Sequence, residues 1–259
     1  MRRLMQRKVY SVGRRVLIHS TVIVAAIALG WAASGPIRSG GASATLEFHR
    51  LFQSPTIIRN YLDTHPARKL QIGAGGNNMA GWLNTDIEPW TGQAYLDAGK
   101  RFPLPDASFR YAFSEQLIEH LSYEDGLGML RECKRILQPG GKIRIATPNL
   151  LRFIELFQEG KTDVMRRFID EKVKWHGWPS VTTPECLILN FQMRSWEHKF
   201  LYDPQTLRHS LETAGYRQIQ EFAPGESDDP QLKGIEARHT SNMQFPADYE
   251  TMVFQAVRP

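Results

Sequence analysis

Three short apolar runs, each ending on a glycine or an aspartate, constrain this chain more than any other feature of its sequence. Lys69–Ile72 reads as a strand that runs into Gly73-Ala74-Gly75-Gly76. Residues 82–85 read as a second strand ending at Asp86, and residues 94–96 as a third ending at Asp97. A glycine turn directly after a strand lets the backbone reverse sharply and lets a ligand approach with no Cβ in the way. Carboxylates at the same end of the next two strands can accept both hydroxyls of a ribose. Each feature alone has an ordinary explanation, since glycine turns are common structural devices and turn aspartates often cap or meet solvent. Three in register, on one edge of a sheet, are harder to explain that way.

The remaining pattern supplies the sheet. Ser54-Pro55 predicts an N-cap and first-turn proline ahead of Ile57, Ile58, Tyr61 and Leu62, one apolar helix face. Residues 111–113 follow a Pro-Asp turn and read as a central strand. Ser122, with acids two and three positions on, predicts a capped helix carrying Leu127, Leu130, Cys133 and Leu137, stopped by Pro139-Gly140-Gly141. Residues 142–146 are a further strand. Thr147-Pro148 predicts the cap of a helix with Leu151, Ile154 and Phe157 on one face. Asp203-Pro204 opens another helix with Leu207 and Leu211, closed by Gly215, and two late strands fall near 218–222 and 251–257. Strands alternating with helices predict an α/β fold, a Rossmann-like, doubly wound, mostly parallel sheet with helices on both faces and its ligand beyond the carboxyl ends of the strands.

A dinucleotide site would need the third glycine of G-x-G-x-x-G, a helix N-terminus for the pyrophosphate and an acid about twenty residues on. Position 78 is Asn, Asp86 comes eleven residues after Gly75, and the crossover from Gly73 to about Gly81 leaves little room for a helix. A ligand without phosphates is favoured, and an NAD-dependent oxidoreductase is the lesser alternative. The stretches LQIGAGGNNMAGWLNTDIEP, YLDAGKRFPLPDASF, FSEQLIEHL and LQPGGKIRIATPN resemble the class I S-adenosylmethionine-dependent methyltransferases, in the small-molecule branch with a methyltransferase type 11-like domain. The resemblance spans about residues 69–149 and continues more loosely to the C-terminal strands. It implies S-adenosyl-L-methionine as cofactor, with the turn Gly73, Ala74 and Gly75 along its methionine end, Asp86 on its ribose, Asp97 and Ala98 near its adenine, and Ser114 and Glu115 facing its methyl group. Gln71 stands where the family's first motif usually has an acid. A non-catalytic cofactor-binding or scaffold protein with the same fold is therefore the main rival.

Ser114-Glu115-Gln116 follows the fourth strand in place of the Asn/Asp-Pro-Pro-aromatic motif with which methyltransferases of nucleic-acid amines hold their substrate. The expected acceptor is an oxygen of a small molecule or a cell-surface glycan precursor, with no nucleic-acid partner. Glu119 and His120 are the ionisable pair nearest the implied methyl group, and His120 is suited to take a proton near neutral pH; both also suit a purely structural brace. Residues 159–200 read as an inserted lid. Within it Trp175, His176, Trp196 and His198 suit the faces and edges of a sugar or an aromatic acceptor, although most such rings simply pack. Cys133 and Cys186 lie 53 positions apart without metal-ligand spacing, so no metal site is expected.

Charge and hydropathy divide the chain. The net charge is +5, but six of the 32 Lys and Arg residues fall in residues 1–15, where there is no acid, leaving 26 against 27 Asp and Glu in residues 16–259. The body carries no basic signature. An apolar stretch occupies residues 16–33, so residues 1–33 read as a basic tail with an apolar segment, residues 34–53 as a linker, and residues 54–259 as the methyltransferase domain. A signal anchor and a cleaved signal peptide are open readings. Because adenosylmethionine is made in the cytosol, the expectation is a cytoplasmic body, with residues 1–33 lying on the inner membrane surface or missing from the natural product.

Overall fold

In the computed structural model, residues 46–179, 181–236 and 244–259 are described. Five parallel strands form one side and centre of a seven-stranded sheet: β1 (Lys69–Ile72), β2 (Leu83–Asp86), β3 (Ala94–Tyr95), β4 (Phe109–Glu115) and β5 (Leu137–Pro148). With β6 (Arg217–Phe222) and β7 (Thr251–Val257) the order is β3-β2-β1-β4-β5-β7-β6, and β7 runs antiparallel to both its neighbours. The chain order reverses between β1 and β4, so their carboxyl ends splay into the crevice where such sheets bind ligands. Across that crevice Ile72 is level with Ser114, and Ser114 with Ile145.

The helices are α1 (Ser54–Thr64), α2 (Tyr123–Ile136), α3 (Leu150–Glu155), α4 (Asp163–His176), α5 (Pro184–Arg194), α6 (Pro204–Thr213) and α7 (Gln244–Glu250). The main core lies between the sheet and α1, α2 and α6: Ile58 and Tyr61, then Met129, Leu130, Cys133 and Ile136, then Leu207 and Leu211 meet Leu70, Ile72, Ile143, Ile145 and Phe254. Each fully buried aliphatic side chain there contributes about 1.5–3 kcal/mol. A row of side chains on the other face reads Gln71, Phe113, Arg144 and Gln255 across four strands. It is covered by Trp82, Leu232 and Ile235. Fully buried Arg144 pairs there with Glu236 and donates to the Gln255 side chain at 2.6 Å, which fastens residues 223–236 to the sheet. A second apolar cluster, Phe153, Leu156, Phe168, Ile169 and Ile188, holds α3, α4 and α5 together.

Several local expectations are corrected. Ser54 is not an N-cap: a π turn (His49–Gln53) leads straight into α1, and the Ser54 hydroxyl accepts from the Tyr95 N–H at 2.7 Å instead. Ser122 does cap α2, accepting from the Asp125 N–H at 3.1 Å. That helix ends at Ile136, however, and Pro139-Gly140-Gly141 lies inside β5. The cap of α3 is Asn149, whose side chain accepts from the Leu151 N–H at 3.0 Å. The face of Leu151, Ile154 and Phe157 is exposed, and Phe153 and Leu156 point inward. The six-residue helix is oriented by the Phe168 ring, 6.3 Å from that of Phe153, a contact that helical spacing alone does not reveal.

Candidate functional site

The glycine turn is built as a closed loop at the end of β1. Gly73 has φ +69°, and a Cβ there would stand 2.8 Å from the Leu117 side chain, so a left-handed backbone and a close approach both require glycine. Gly75, at φ +51°, has open space where a Cβ would be. The Gly75 N–H donates to one oxygen of Asp86 at 2.8 Å, and the Glu88 N–H donates to the other at 2.9 Å. Asp86 thus ties the turn to the end of β2, while a carboxylate's remaining lone pairs stay open to a ligand.

Buried Gln93, not singled out from the sequence, supports the turn from beneath. It donates to the Gly75 carbonyl at 2.6 Å and to the Asn78 side chain at 2.8 Å, and accepts from the Trp90 N–H at 2.8 Å. Trp90 is exposed beside Gly76. The only signal for Gln93 was a polar residue directly ahead of a strand.

The other residues expected at the cofactor are more scattered. Asp97 turns a carboxylate oxygen onto the Gly99 N–H at 2.9 Å and lines a 760 Å³ cavity with Ser54, Ile58, Tyr95, Lys100 and Arg101. That cavity lies against α1 and touches neither the glycine turn nor Asp86. Ala98 is buried in the main core. Ser114 is fully buried at the carboxyl end of β4, and its hydroxyl oxygen has no hydrogen-bond partner among the described residues; the Gln71 side-chain oxygen is in the same condition. Glu115 closes β4 beside them.

Past β4 the chain turns back over the glycine loop. Gln116 adopts φ +53°, unusual for a residue with a side chain, and is held by its N–H to the Ala146 carbonyl at 2.8 Å. Leu117 then packs on Gly73, and a 3-10 turn (Ile118–His120) follows. Glu119 is fully buried: its carboxylate accepts from the Thr147 hydroxyl at 2.9 Å, and its backbone carbonyl accepts from the N–H groups of Lys199 and Phe200 at 2.8 and 3.2 Å. Those two bonds bring His198 against His120, with ring centroids 4.8 Å apart and planes at 84°. His198 Nδ1 lies 2.6 Å from the Gln192 carbonyl. A carbonyl only accepts, so Nδ1 carries a hydrogen, and in the neutral ring Nε2 holds the lone pair.

Glu119, His120 and His198 open into a cavity of about 260 Å³ walled by Trp175, Phe191 and Trp196. Lys172 and Glu250 also line it and are paired with each other at 2.7 Å. Three of the four lid residues expected at an acceptor therefore line this cavity. His176 does not: it stacks on Trp178 at 4.3 Å and 12°, and lies 4.0 Å from the Phe191 ring. Burial, reinforced by the nearby Lys172 charge, holds its pKa below the usual histidine value.

Residues 70–145 match the family model described as a methyltransferase domain, the stretch that holds the glycine loop, Asp86 and the Glu119-His120 turn. Over 51 residues, 20% of the chain, the sequence is 45% identical to a probable S-adenosylmethionine-dependent methyltransferase of Mycolicibacterium smegmatis, and 43% identical to one of Mycobacterium tuberculosis. The match spans 19% and 18% of those relatives' own lengths. Among solved structures, an S-adenosylmethionine-dependent methyltransferase from Mesorhizobium loti has a TM-score of 0.45 at 17% identity, over 79% of this chain and 96% of that one. A possible histamine N-methyltransferase from Thermotoga maritima has 0.43 at 16%, over 84% and 98%. The resemblance read from the sequence to S-adenosylmethionine-dependent methyltransferases thus holds over residues 70–145, which carry the glycine loop, Asp86 and the Glu119-His120 turn.

Proposed function

We propose that this protein is an S-adenosyl-L-methionine-dependent methyltransferase acting on an oxygen of a small molecule or a cell-surface glycan precursor. The observation that carries the reading is the closed glycine turn: Gly75 is tied to Asp86, Leu117 packs on Gly73, and its chain neighbours Gln116, Glu119 and His120 line the 260 Å³ cavity. The residues fit the cofactor. Space left open at Gly75 leaves a cradle against the backbone, Asp86 has lone pairs for ribose hydroxyls, and the buried Ser114 hydroxyl at the same sheet edge lacks a partner among the described residues. Asp97, from the cavity against α1, and the backbone of core-buried Ala98 would approach the adenine, and Glu115 the methyl end.

When bound, adenosylmethionine supplies a methyl group on a cationic sulfur, already a good leaving group. What remains for the chain is alignment of the acceptor and removal of its proton. The Trp175 and Trp196 walls hold the acceptor's apolar face, Gln116 and Gln192 offer hydrogen bonds at its edges, and a ring nitrogen of His120 receives the hydroxyl proton while buried Glu119 favours the resulting imidazolium. Because its cofactor is cytosolic, the body is assigned to the cytosol. Residues 1–33 lie outside the described residues, and among the described ones no helix is long and apolar enough to cross a membrane. A reporter fused after Pro259 tests the compartment; activity of a periplasm-only reporter would reverse it.

Calorimetry with adenosylmethionine and NAD side by side tests the cofactor. Saturable binding of adenosylmethionine alone is expected. Binding of NAD alone returns the oxidoreductase reading, and binding of neither leaves the non-catalytic one.

A further inference from the structure

The cluster at the base of the acceptor cavity has a property that proton removal does not use. One ligand-capable atom from each of Glu119, His120 and His198 lies within 4.8 Å of the other two. Ligand atoms around a zinc-class cation stand about 3.4 Å apart, because each is about 2.0–2.2 Å from the metal. Closing the cluster to that spacing needs about an ångström of side-chain movement, small for His120 and His198 at a cavity wall.

The second observation is how the ligands are held. His198 donates Nδ1–H to the Gln192 carbonyl at 2.6 Å, which makes Nε2 the lone-pair nitrogen of the neutral ring and orients it. Metal-bound histidines are almost always oriented by such a bond from the other ring nitrogen. Glu119 is steadied in the same way by the Thr147 hydroxyl at 2.9 Å. The Lys172 ammonium in the same cavity is paired with Glu250 at 2.7 Å, which offsets its repulsion of a bound cation.

We propose that Glu119, His120 and His198 form a divalent-cation site whose open positions face the acceptor cavity. Two imidazoles and one carboxylate favour zinc, cobalt or manganese over magnesium and calcium, which prefer oxygen ligands throughout. Resting on the reading of this cavity as the acceptor site, the assignment also names a substrate class: a hydroxylated acceptor whose oxygen completes the coordination. A cation there lowers the proton affinity of that oxygen, as it does for bound water, whose pKa falls to about 7 on zinc. With the cation bound, the proton leaves to solvent through the cavity mouth and His120 serves as a ligand; in the cation-free protein it is the base proposed above.

The test uses the full chain, stripped with a chelator and titrated with cobalt(II), then zinc(II). One cobalt per chain is expected, with visible d–d absorption abolished by zinc. His198→Ala should weaken binding at least tenfold, Thr147→Val by about tenfold through its hold on Glu119, and exposed His209→Ala not at all. Absence of stoichiometric cobalt binding overturns the site, as does binding that survives His198→Ala and His120→Ala unchanged. If the alanine variant melts before titration, His198→Gln carries the comparison. Adenosylmethionine calorimetry on the stripped protein separates the two readings: cofactor binding without any cation site removes only this proposal, and a cation site without cofactor binding removes the methyltransferase assignment.

Discussion

The carboxyl edge of the sheet and the helical lobe of α3, α4 and α5 meet across one cavity, but they are held differently. At the sheet edge nearly every turn is fastened by a backbone or buried polar bond: Gly75 to Asp86, Gln93 to Gly75 and Asn78, Gln116 to Ala146. The lobe rests mainly on an apolar cluster around five buried residues, with the buried Lys172–Glu250 pair beside it, and leaves Trp175 and Trp196 more than half exposed. A ligand loop with hydrogen-bonded geometry presents one shape. A lobe held by a small apolar cluster opens at lower free energy and can adjust to an acceptor. Rigidity thus sits where the methyl donor is proposed to bind, and latitude where the acceptor enters.

The comparison is broken most severely at the junction. His120→Ala should cut turnover about 10²–10⁴-fold once an acceptor is known, with adenosylmethionine affinity kept. Turnover at the parent rate would make His120 a brace between the two halves.

Core deletions compare the halves directly. Phe113→Ala in the sheet should cost about 3–5 kcal/mol of global stability in urea unfolding. Phe168→Ala removes a ring of the same size from the lobe, and should instead raise proteolytic nicking within residues 159–200 while the main transition moves less. Equal shifts of the main transition would mean that lobe and sheet unfold as one unit.

For binding, Asp86→Ala should weaken adenosylmethionine by about 1.5–3 kcal/mol, one to two decades, without unfolding the protein, because it removes both the ribose acceptor and the tie to Gly75. Trp196→Ala should raise the acceptor KM and leave cofactor affinity alone; a matching loss of cofactor affinity would erase the division of labour.

The smallest effect is one of pH. Burial depresses the His176 pKa, so the fold favours the neutral ring. The stability this contributes is present above the unfolded value of about 6.5 and is lost as pH falls below it, through the folded pKa. Tryptophan fluorescence should report loosening of the lobe on acidification before the sheet responds, and His176→Phe should blunt that early change. Identical acid profiles for parent and variant would remove His176 from the account.

What the sequence determined by itself was what depends on neighbours along the chain. The strand-end positions of Gly73, Asp86 and Asp97, the Ser122 and Asp203 caps and the strand Thr251–Val257 were all legible, because a turn, a cap or an alternating run is decided within a few residues. Local patterning misled at Ser54, at Thr147 and on the face of α3. There a partner distant in sequence took the side chain: the Tyr95 N–H, the Glu119 carboxylate and the Phe168 ring. Only the tertiary structure brought His198 to His120 across 78 positions and placed Gln93 under the glycine turn. Neither contact has a periodicity to announce it: the Glu119 carbonyl draws in His198 through the Lys199 and Phe200 N–H groups, and Gln93 is placed by its own bonds to Gly75 and Asn78.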